Sequence, residues 1–384
     1  MKYDIIVGIS AKDVESTIED VTRVVDIALT KFFRRYNSLI ICVDGHSTDN
    51  TKKFFKQTGT NADKLYIREK KPLGKGSAIK SIFETAVEHD AKAIALVDGD
   101  LESIEVEWLK LLLSPILTKE YDLVVPYYKR DKYDGVLTNH LIYPLTKSLY
   151  GANIRQPIGG EYGLSLNLIK ELLAHPLFPS KFGIDIFITT VAFCEGHKIV
   201  QARLGVKEHH STKSYNNPDT VLVPMFNQVM TEVFELTHYY KKNIRVFKGI
   251  KDIGYIGPKS SKEVKDVYVD IMDIIKEYRL RYKGLDKICR IFPKKLQSQL
   301  DNIISEEGFV FPSETWVRSV YFIIKAHHKN IKQSLDILRI LWKAWFASYV
   351  IKTAHMDDGE AEKVIEGQVE LFIKNRGLFF KTTD

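Results

Sequence analysis

An apolar run ends in two carboxylates in the segment Ala93-Ile94-Ala95-Leu96-Val97-Asp98-Gly99-Asp100. Five consecutive apolar residues are typical of a strand that is buried on both faces of a parallel sheet. Ligands of open α/β sheets bind at the carboxyl ends of such strands. The segment therefore predicts a buried strand that carries two acidic side chains to a ligand-binding edge.

The two carboxylates suit a divalent cation bound to a diphosphate. Such a cation, held by one or two carboxylates, neutralises the diphosphate and keeps positions open for phosphate oxygens. Gly99 lets the backbone turn between Asp98 and Asp100. A solvated turn with glycine at a positive φ is the competing interpretation. The position after a buried strand favours the cation site, but the tripeptide alone leaves both interpretations open.

Short apolar runs alternate with helical periodicity in the first half of the chain, which predicts a mostly parallel sheet with helices on both faces. Apolar residues recur at helical spacing from Ile18 to Phe32, and a further helix is predicted from Gly76 to about Glu88. The predicted strands are Ile5–Ile9, Leu39–Val43, Leu65–Arg68, Ala93–Val97 and Leu123–Tyr127. The fold class is therefore α/β and Rossmann-like.

From Tyr215 onward the sequence changes to longer helical patterns, such as Ser334–Val350. We predict a nucleotide-binding and catalytic domain in residues 1–215 and a mainly helical region in residues 216–384, which closes the acceptor side or forms a dimer interface. Residues that suggest a linker and a second loop are Pro218 and Pro224, and then Gly254, Gly257 and Pro258.

The segment Leu73-Gly74-Lys75-Gly76-Ser77 follows a predicted strand and opens a predicted helix. Its glycines would let backbone N–H groups approach an anion, the helix N-terminus favours negative charge, and Lys75 adds a cation. The spacing is not that of a P-loop, which disfavours ATP hydrolysis. The segment indicates a phosphate-binding loop, with a plain strand-to-helix turn as the alternative.

Asp44 lies at the tip of another predicted strand and is followed by Gly45-His46-Ser47-Thr48-Asp49. Its carboxylate is placed to accept hydrogen bonds from a base or a ribose. Ser47, Thr48 and Asp49 are candidates for capping the next helix, which is the favoured role for Thr48 and Asp49.

Three polar segments follow later in the chain, namely Gln156-Pro157-Ile158-Gly159-Gly160-Glu161, Phe182-Gly183-Ile184-Asp185 and Glu208-His209-His210. The first places two glycines beside a carboxylate. His209 follows the strand-like run Ile199–Val206, and a neutral imidazole can bind a metal. A single histidine at a strand end is usually a surface residue, so the metal role depends on the other motifs.

The composition is that of an ordinary globular protein, with 384 residues, 45% hydrophobic and 27% charged. The net charge of +7 and the pI of about 8.9 come from basic residues interspersed with acids, a balance that fits an anionic small substrate as well as nucleic acid. The sequence has no zinc-knuckle spacing or aromatic-basic repeat, which disfavours nucleic acid. Cys42, Cys194 and Cys289 predict reduced thiols. With no signal-peptide pattern and no apolar segment of bilayer length, we expect a soluble cytoplasmic protein without integral membrane contact.

In their order along the chain, these motifs resemble those of retaining GT-A glycosyltransferases that glucosylate or mannosylate glycerate or 3-phosphoglycerate. The resemblance extends from about Ile5 to His210, and its most distinctive part runs from Gln156 through Leu173 to Asp185. It implies a GT-A fold, a Mg²⁺ or Mn²⁺ cofactor and a nucleotide-sugar donor such as UDP-glucose, GDP-glucose or GDP-mannose. The helical tail resembles, more loosely, that of mannosylglycerate and glucosylglycerate synthases, and the family tendency implies a homodimer.

The resemblance also implies roles for individual residues. Asp100 and His209 become the metal ligands, with Asp98 beside them on the ribose-diphosphate side. Gly160 and Glu161 border the donor sugar, and Asp185 binds sugar or acceptor hydroxyls. The implied donor-binding residues are Ala11, Lys12, Asp13, Glu15, Asp44, Lys75, Gly76, Asp98 and Gly99.

The implied acceptor region runs from Tyr127 to Thr138, where Arg130 pairs with a carboxylate and Thr138 binds the glycerate. The 3-phosphoglycerate enzymes of the family have an arginine shortly before that threonine, whereas this chain has Val136. The missing charge-assisted contact favours free D-glycerate over 3-phosphoglycerate. The residues that could compensate are Lys129, Lys132 and His140.

Retention of the anomeric configuration requires either a covalent sugar–enzyme intermediate or front-face attack by the acceptor, and the resemblance implies the second route. Glu161 and Asp185 then position the substrates and stabilise an oxocarbenium-like state. The leaving diphosphate takes the proton of the acceptor hydroxyl.

Two other functions are compatible with a nucleotide-binding domain in the first half of the chain. An inverting transferase that acts on a polyprenyl phosphate or a polysaccharide needs an acidic base near the acceptor, and often has a Gln-x-x-Arg-Trp helix and membrane segments, which the sequence does not show. A non-catalytic nucleotide-sugar sensor is disfavoured because the metal, phosphate and turn elements are all retained.

Overall fold

The computed structural model describes residues 2–208, 222–282, 291–305, 309–327 and 330–380. Its strands are β1 Ile5–Ala11, β2 Ser38–Asp44, β3 Asp63–Arg68, β4 Ala93–Asp98, β5 Leu123–Lys129, β6 Ala152–Asn153, β7 Tyr162–Leu164, β8 Ile199–Val206, β9 Lys251–Asp252 and β10 Tyr255–Ile256. The helices of the first half are α1 Ile18–Phe32, α2 Thr51–Gln57, α3 Lys75–His89, α4 Val106–Leu117, α5 Tyr143–Leu145, α6 Leu166–Ala174 and α7 Ile184–Cys194. Those of the second half are α8 Leu222–Tyr239, α9 Lys241–Arg245, α10 Ile271–Tyr282, α11 Lys294–Ser305, α12 Ser313–Ala326, α13 Ile331–Thr353 and α14 Asp358–Asn375.

The main sheet has the strand order β10-β8-β5-β7-β4-β1-β2-β3. Strand β7 is antiparallel to β4 and β5, and the remaining neighbours pair in parallel. The predicted mostly parallel sheet is therefore confirmed, and each strand predicted for it is present. Because β7 runs against its neighbours, it begins at the edge where β4 and β5 end.

Alternation along β1 shows how the helices cover the two faces of the sheet. Val7 and Ile9 are fully buried in one apolar core with side chains of α1 and α4, including Val21 and Trp108. Gly8, between them, faces the opposite side, where a Cβ would lie 2.5 Å from Ile82 of α3. Glycine at position 8 therefore lets α3 approach the strand closely.

The chain divides into two compact units that alternate along the sequence. The first comprises Met1–Lys129, Ile154–Tyr240 and Asp252–Glu263, and the second comprises Arg130–Asn153, Lys241–Lys251 and Val264–Asp384. The sequence predicted one boundary after residue 215. The structure instead assigns 130–153 to the second unit and helix α8 to the first, because sheet pairing and helix packing join segments that are distant in sequence.

Two predicted loop segments differ in the structure. Pro224 is the third residue of α8 rather than part of a linker, and it is tolerated there because N–H groups in the first turn of a helix have no intrahelical acceptor. Tyr255–Ile256, within the predicted second loop, forms the edge strand β10 on β8. Pro218 lies outside the described residues.

The second unit packs its helices around an apolar cluster that includes Tyr349, Val350, Ile365 and Val369. On α13, Trp342 and Trp345 are also buried. None of the helices in the described ranges combines the length and apolar character that crossing a bilayer requires.

Candidate active site

The carboxyl edge of the main sheet brings together side chains from distant parts of the sequence. Asp98 ends β4 beside Ser10 of β1, with which it pairs in register. Leu96 pairs with Tyr162 at the start of antiparallel β7, so Glu161 enters at the same edge. Strand β8 ends there as well, which brings in Lys207. Sequence positions 98, 161 and 207 thereby meet.

Asp98 accepts from two lysines whose side chains are 11% and 6% exposed. Its Oδ1 lies 2.9 Å from Nζ of Lys75, and its Oδ2 lies 3.4 Å from Nζ of Lys207. The hydroxyl of Ser10 is 3.3 Å from Oδ1. Burial opposes the charged form of Lys75, but Asp185 and Asp98 outweigh it and raise the pKa of this lysine well above its usual value. Both oxygens of Asp98 therefore have lysine partners, and its supporting role beside the metal stays a prediction.

Glu161 is fully buried at the centre of this edge. Its two carboxylate oxygens accept from Lys207 at 2.9 and 2.8 Å, and one also accepts from the hydroxyl of Tyr128. Burial raises the pKa of Glu161 to about 7, and the charge of Lys207 opposes a further rise. Gly160, with a φ of +98°, turns the backbone so that Glu161 directly precedes β7.

Asp185 lies in the first turn of α7 and is 8% exposed. Its Oδ2 is 3.3 Å from Nζ of Lys75. Its Oδ1 is buried without a hydrogen-bond partner in the described structure. Burial raises the pKa of Asp185, while Lys75 opposes the rise. An unsatisfied buried oxygen is a reason to expect a ligand hydroxyl or a water at this point.

Asp100 follows the same turn, and its side chain is partly exposed. His209 and His210 lie outside the described residues. The described chain reaches Glu208, whose carbonyl accepts from the N–H of Glu102 at 3.0 Å and whose N–H donates to Ser103 at 2.7 Å. The residue preceding His209 is thus hydrogen-bonded to the segment directly after Asp100.

Among the described residues, no group of three or more His, Cys, Asp or Glu side chains could hold a metal. The carboxylate of Asp100 offers a hard oxygen of the kind that Mg²⁺ or Mn²⁺ prefers, and such ions commonly take one or two protein carboxylates with substrate phosphates and water. The described residues therefore fit a cation that a diphosphate helps to bind.

The predicted base-binding loop is cross-braced to the loop after β2. The carboxylate of Asp13 accepts from the N–H of Thr48 at 2.7 Å, while the N–H of Asp13 donates to Ser47 at 2.8 Å. Glu15 accepts from the N–H of Asn50 at 2.8 Å. Nζ of Lys12 lies 3.6 Å from Oδ2 of Asp13. Ala11 pairs with Asp44 in register and is buried, so it contributes backbone to this edge.

Asp44 is 2% exposed, and its oxygens accept from Ser47 and Tyr66. This geometry makes it a support for the turn after β2. Of the predicted caps, Asp49 accepts from the N–H of Thr51 at 3.0 Å, whereas Thr48 bonds to Asp13 instead.

The glycines of the predicted phosphate loop have a different structural role. A Cβ on Gly76 would lie 2.0 Å from the carbonyl oxygen of Pro179, and the N–H of Ser77 donates to the carbonyl of Ser180 at 3.1 Å. Glycine at position 76 thus permits close packing of two backbones, and the approach of an anion to this loop stays a prediction. Gly99 is similarly buried in its turn, with a carbonyl that accepts from Thr17 at 2.7 Å.

The predicted acceptor residues belong to the second unit. Arg130 forms an ion pair with Asp134 at 3.0 Å. Thr138 begins a π-helical turn, Thr138–Ile142, and π-helical turns are frequent at functional sites. Val136 and Leu137 are α-helical and directly precede this turn.

Lys207 and Tyr128 were not predicted from the sequence. Lys207 directly follows the strand-like run Ile199–Val206. Ligands bind at the carboxyl ends of parallel strands, so the position that pointed to Asp44 and Asp98 also pointed to Lys207. Tyr128 lies inside an apolar strand, where an aromatic residue most often indicates core packing. Only the pairing of β5 with β7 reveals its contact with Glu161.

Comparisons with known proteins agree with this architecture. Residues 8–167 match the family model for glycosyl transferase family 2. No curated protein sequence matches the chain. Glucosyl-3-phosphoglycerate synthase from Mycobacterium tuberculosis, solved with Mn²⁺, uridine-diphosphate-glucose and phosphoglyceric acid, is 24% identical with a TM-score of 0.50, over 62% of this chain and 80% of that chain.

Two further solved structures are similar at a TM-score of 0.49. One is the same mycobacterial synthase with Mg²⁺ and uridine diphosphate, 24% identical over 61% of this chain and 79% of that chain. The other is described as a mycobacterial protein, 26% identical over 61% of this chain and 74% of that chain. Residues 8–167 thus resemble a glycosyl transferase family 2 domain, and the predicted GT-A fold is confirmed.

Proposed function

We propose that this chain is a metal-dependent, retaining glycosyltransferase that moves glucose or mannose from a nucleotide sugar to a hydroxyl of D-glycerate. The observation that carries the proposal is the buried cluster of Lys75, Asp98, Glu161, Asp185 and Lys207 at the carboxyl edge of the sheet. Three of these residues, Lys75, Asp98 and Glu161, lie within residues 8–167, which match the family model for glycosyl transferase family 2.

Lys75 is the proposed ligand of the donor diphosphate. An ammonium group has three N–H donors, and the described contacts of Lys75 are those with Asp98 and Asp185. One donor is therefore left for a phosphate oxygen. Lys75 also begins α3, where the helix dipole favours an anion.

Asp100 and His209 are the proposed metal ligands. The hydrogen bonds that join Glu208 to Glu102 and Ser103 support this assignment, because they attach the chain immediately before His209 to the segment after Asp100. Bound there, Mg²⁺ or Mn²⁺ would neutralise charge on the departing diphosphate.

The environment of Glu161 supports front-face attack rather than a covalent intermediate. Lys207 bonds both carboxylate oxygens of Glu161, and the side chain is fully buried, which makes it a poor nucleophile. Asp185, with its unsatisfied Oδ1, is the proposed partner of a sugar or acceptor hydroxyl. A sugar adduct trapped on Glu161 or Asp185 would contradict this mechanism.

Free D-glycerate is preferred because the basic residues that could replace the missing arginine have other partners. Lys129 donates to the carbonyl of Lys262 at 2.8 Å. Lys132 donates to the carbonyl of Thr353 at 3.0 Å, at the end of α13. His140 is buried and contacts Gln368 at 3.3 Å. These contacts favour free glycerate, and 3-phosphoglycerate remains the alternative acceptor.

A donor-by-acceptor matrix tests the proposal. Glycerate and 3-phosphoglycerate are each combined with UDP-, GDP- and ADP-glucose and with GDP-mannose, with and without Mg²⁺, and the anomeric configuration of the product is read by NMR. We expect turnover with glycerate that chelation abolishes. Turnover that survives chelation contradicts the metal assignment, and an inverted product contradicts retention. We also propose a homodimer, which light scattering tests.

A further inference from the structure

Lys207 is the most completely bonded ammonium group at the sheet edge. Its Nζ lies 2.8 and 2.9 Å from the two oxygens of Glu161, 2.9 Å from the carbonyl oxygen of Gly159 and 3.4 Å from Oδ2 of Asp98. The side chain is 6% exposed. An ammonium group has three N–H donors, and Glu161, Gly159 and Asp98 account for all of them. Lys207 therefore has no donor left for a phosphate oxygen, in contrast to Lys75.

An irregularity in β8 directs Lys207 toward Glu161. Before it, Val124 pairs with Val200, and both side chains lie in the core on the face that also holds Tyr128. The register shifts by one residue where Tyr128 pairs with Gly205, whose φ is +88°. Because side chains alternate along a strand, this shift moves Lys207 to the face of Tyr128.

The contacts of Lys207 agree with this account of the register. Its Nζ lies 5.5 Å from the centroid of the Tyr128 ring, and the hydroxyl of Tyr128 bonds to Glu161. Gly160 packs beside the same ammonium group, since a Cβ there would lie 3.0 Å from it. Three separate segments, namely β5, the turn at 159–161 and the end of β8, thus meet at Lys207.

We infer that Lys207 is a positioning residue that fixes the Glu161 carboxylate and the turn at Gly159 beside Asp98 for the transfer step. The inference rests on the proposed function and names a residue that acts through Glu161 rather than on the donor. Loss of Lys207 would leave Glu161 buried without its counter-charge, and the carboxylate would move or take a proton.

The test compares Lys207→Met with Lys75→Met in the full-length chain. For Lys207→Met, we expect kcat to fall about 10²-fold, as for a misplaced catalytic group, while the Kd of UDP or GDP with Mn²⁺ changes less than about threefold. For Lys75→Met, we expect the nucleotide Kd to rise by at least about tenfold, because that variant removes a contact with the donor. Lys207→Arg, which keeps the charge, should recover part of the lost kcat.

Lys64→Met is the matched control, because Lys64 is also partly buried and donates to a main-chain carbonyl, that of Phe55, at 2.8 Å. It should leave both kcat and nucleotide affinity unchanged. A Lys207→Met enzyme that keeps wild-type kcat overturns the inference. So does one that loses nucleotide affinity to the same extent as Lys75→Met, since that result would make Lys207 a donor ligand.

Thermal unfolding provides a second measurement that does not depend on activity. Adding Glu161→Gln to Lys207→Met should raise the Tm, because it removes the cost of burying that carboxylate unpaired or of protonating it. A double variant no more stable than Lys207→Met contradicts the pairing. Failure of the proposed function is recognised separately, by a wild-type chain that neither binds UDP or GDP nor transfers sugar.

Discussion

A Cβ atom on Gly160 would lie 2.5 Å from Oδ2 of Asp98. Real Cβ atoms do not approach an oxygen this closely, so the turn at Gly160 and the end of β4 can meet only because position 160 has no side chain. The φ of +98° at Gly160 is a second requirement for glycine. The ion-pair cluster therefore depends on backbone geometry as well as on charge.

Gly160→Ala should reduce both stability and activity. The steric conflict with Asp98 adds to a backbone strain of about 1–2 kcal/mol. We expect a drop in unfolding free energy that exceeds this strain, measured by urea denaturation, and at least about a tenfold loss of kcat. Gly196→Ala is the control, because Gly196 has a φ of +85° and, within the described ranges, no atom lies within 4 Å of a Cβ there. Equal destabilisation of the two variants would show that the contact with Asp98 has no energetic role.

Asp100→Ala should remove most of the metal-dependent activity while the fold is retained. Loss of the carboxylate removes a hard oxygen ligand, so the affinity for Mn²⁺ in the presence of UDP or GDP, measured by calorimetry, should fall by at least about tenfold. Glu102→Ala, two residues away at an exposed position, is the control and should bind Mn²⁺ normally. Near-normal turnover of Asp100→Ala would refute the ligand assignment.

The burial of Glu232 predicts that the unfolding free energy depends on pH. It is 4% exposed, its Oε1 has no hydrogen-bond partner in the described structure, and burial, with a contribution from Glu235, raises its pKa to about 8. The folded pKa exceeds the unfolded value, so the protonated carboxyl contributes stability at low pH, and this contribution is lost as pH rises through about 8.

Relative to Glu232→Gln, the wild-type unfolding free energy should therefore fall between about pH 4.5 and pH 8, at up to about 1.4 kcal/mol per pH unit. Urea denaturation at several pH values measures the difference. Glu235→Gln, at an exposed position on the same helix, should show a much weaker trend. A difference between wild type and Glu232→Gln that does not vary with pH would disprove the raised pKa.

Val136→Arg should shift acceptor preference toward 3-phosphoglycerate. A guanidinium group two residues before Thr138 would supply a charge-assisted hydrogen bond worth about 1.5–3 kcal/mol, so the ratio of kcat/KM for 3-phosphoglycerate to that for glycerate should rise at least about tenfold. Val136→Leu controls for the change in size. No change in the ratio for Val136→Arg would mean that position 136 does not face the acceptor phosphate.

The sequence was sufficient to predict the strands and the edge at which ligands bind. Apolar runs such as Ala93–Val97 identify buried parallel strands. Because such strands all end at one edge of the sheet, the sequence places Asp44 and Asp98 at the same edge. The helices Ile18–Phe32 and Lys75–His89 were predictable for a similar reason, because their burial follows the helical period.

Contacts between distant segments add partners that the sequence does not reveal, while the predicted ligand roles of these residues stay predictions. Gly76 satisfies a pattern for anion binding, but its neighbour in space is the carbonyl of Pro179. Asp44 has the position of a ligand residue, but Ser47 and Tyr66 occupy its oxygens. Local sequence specifies which groups are available and cannot show which partner reaches them first.

By itself, the sequence determined the α/β class and the strand ends, because strand and turn signals are local. It also singled out Asp98, Glu161 and Asp185 as candidates. The tertiary structure decided how these residues are paired. Glu161 meets Lys207 across 46 positions because β7 runs antiparallel between β4 and β5, and because a one-residue register shift in β8 reverses the side on which Lys207 projects. Neither event leaves a local signal, since each is fixed by pairing between strands.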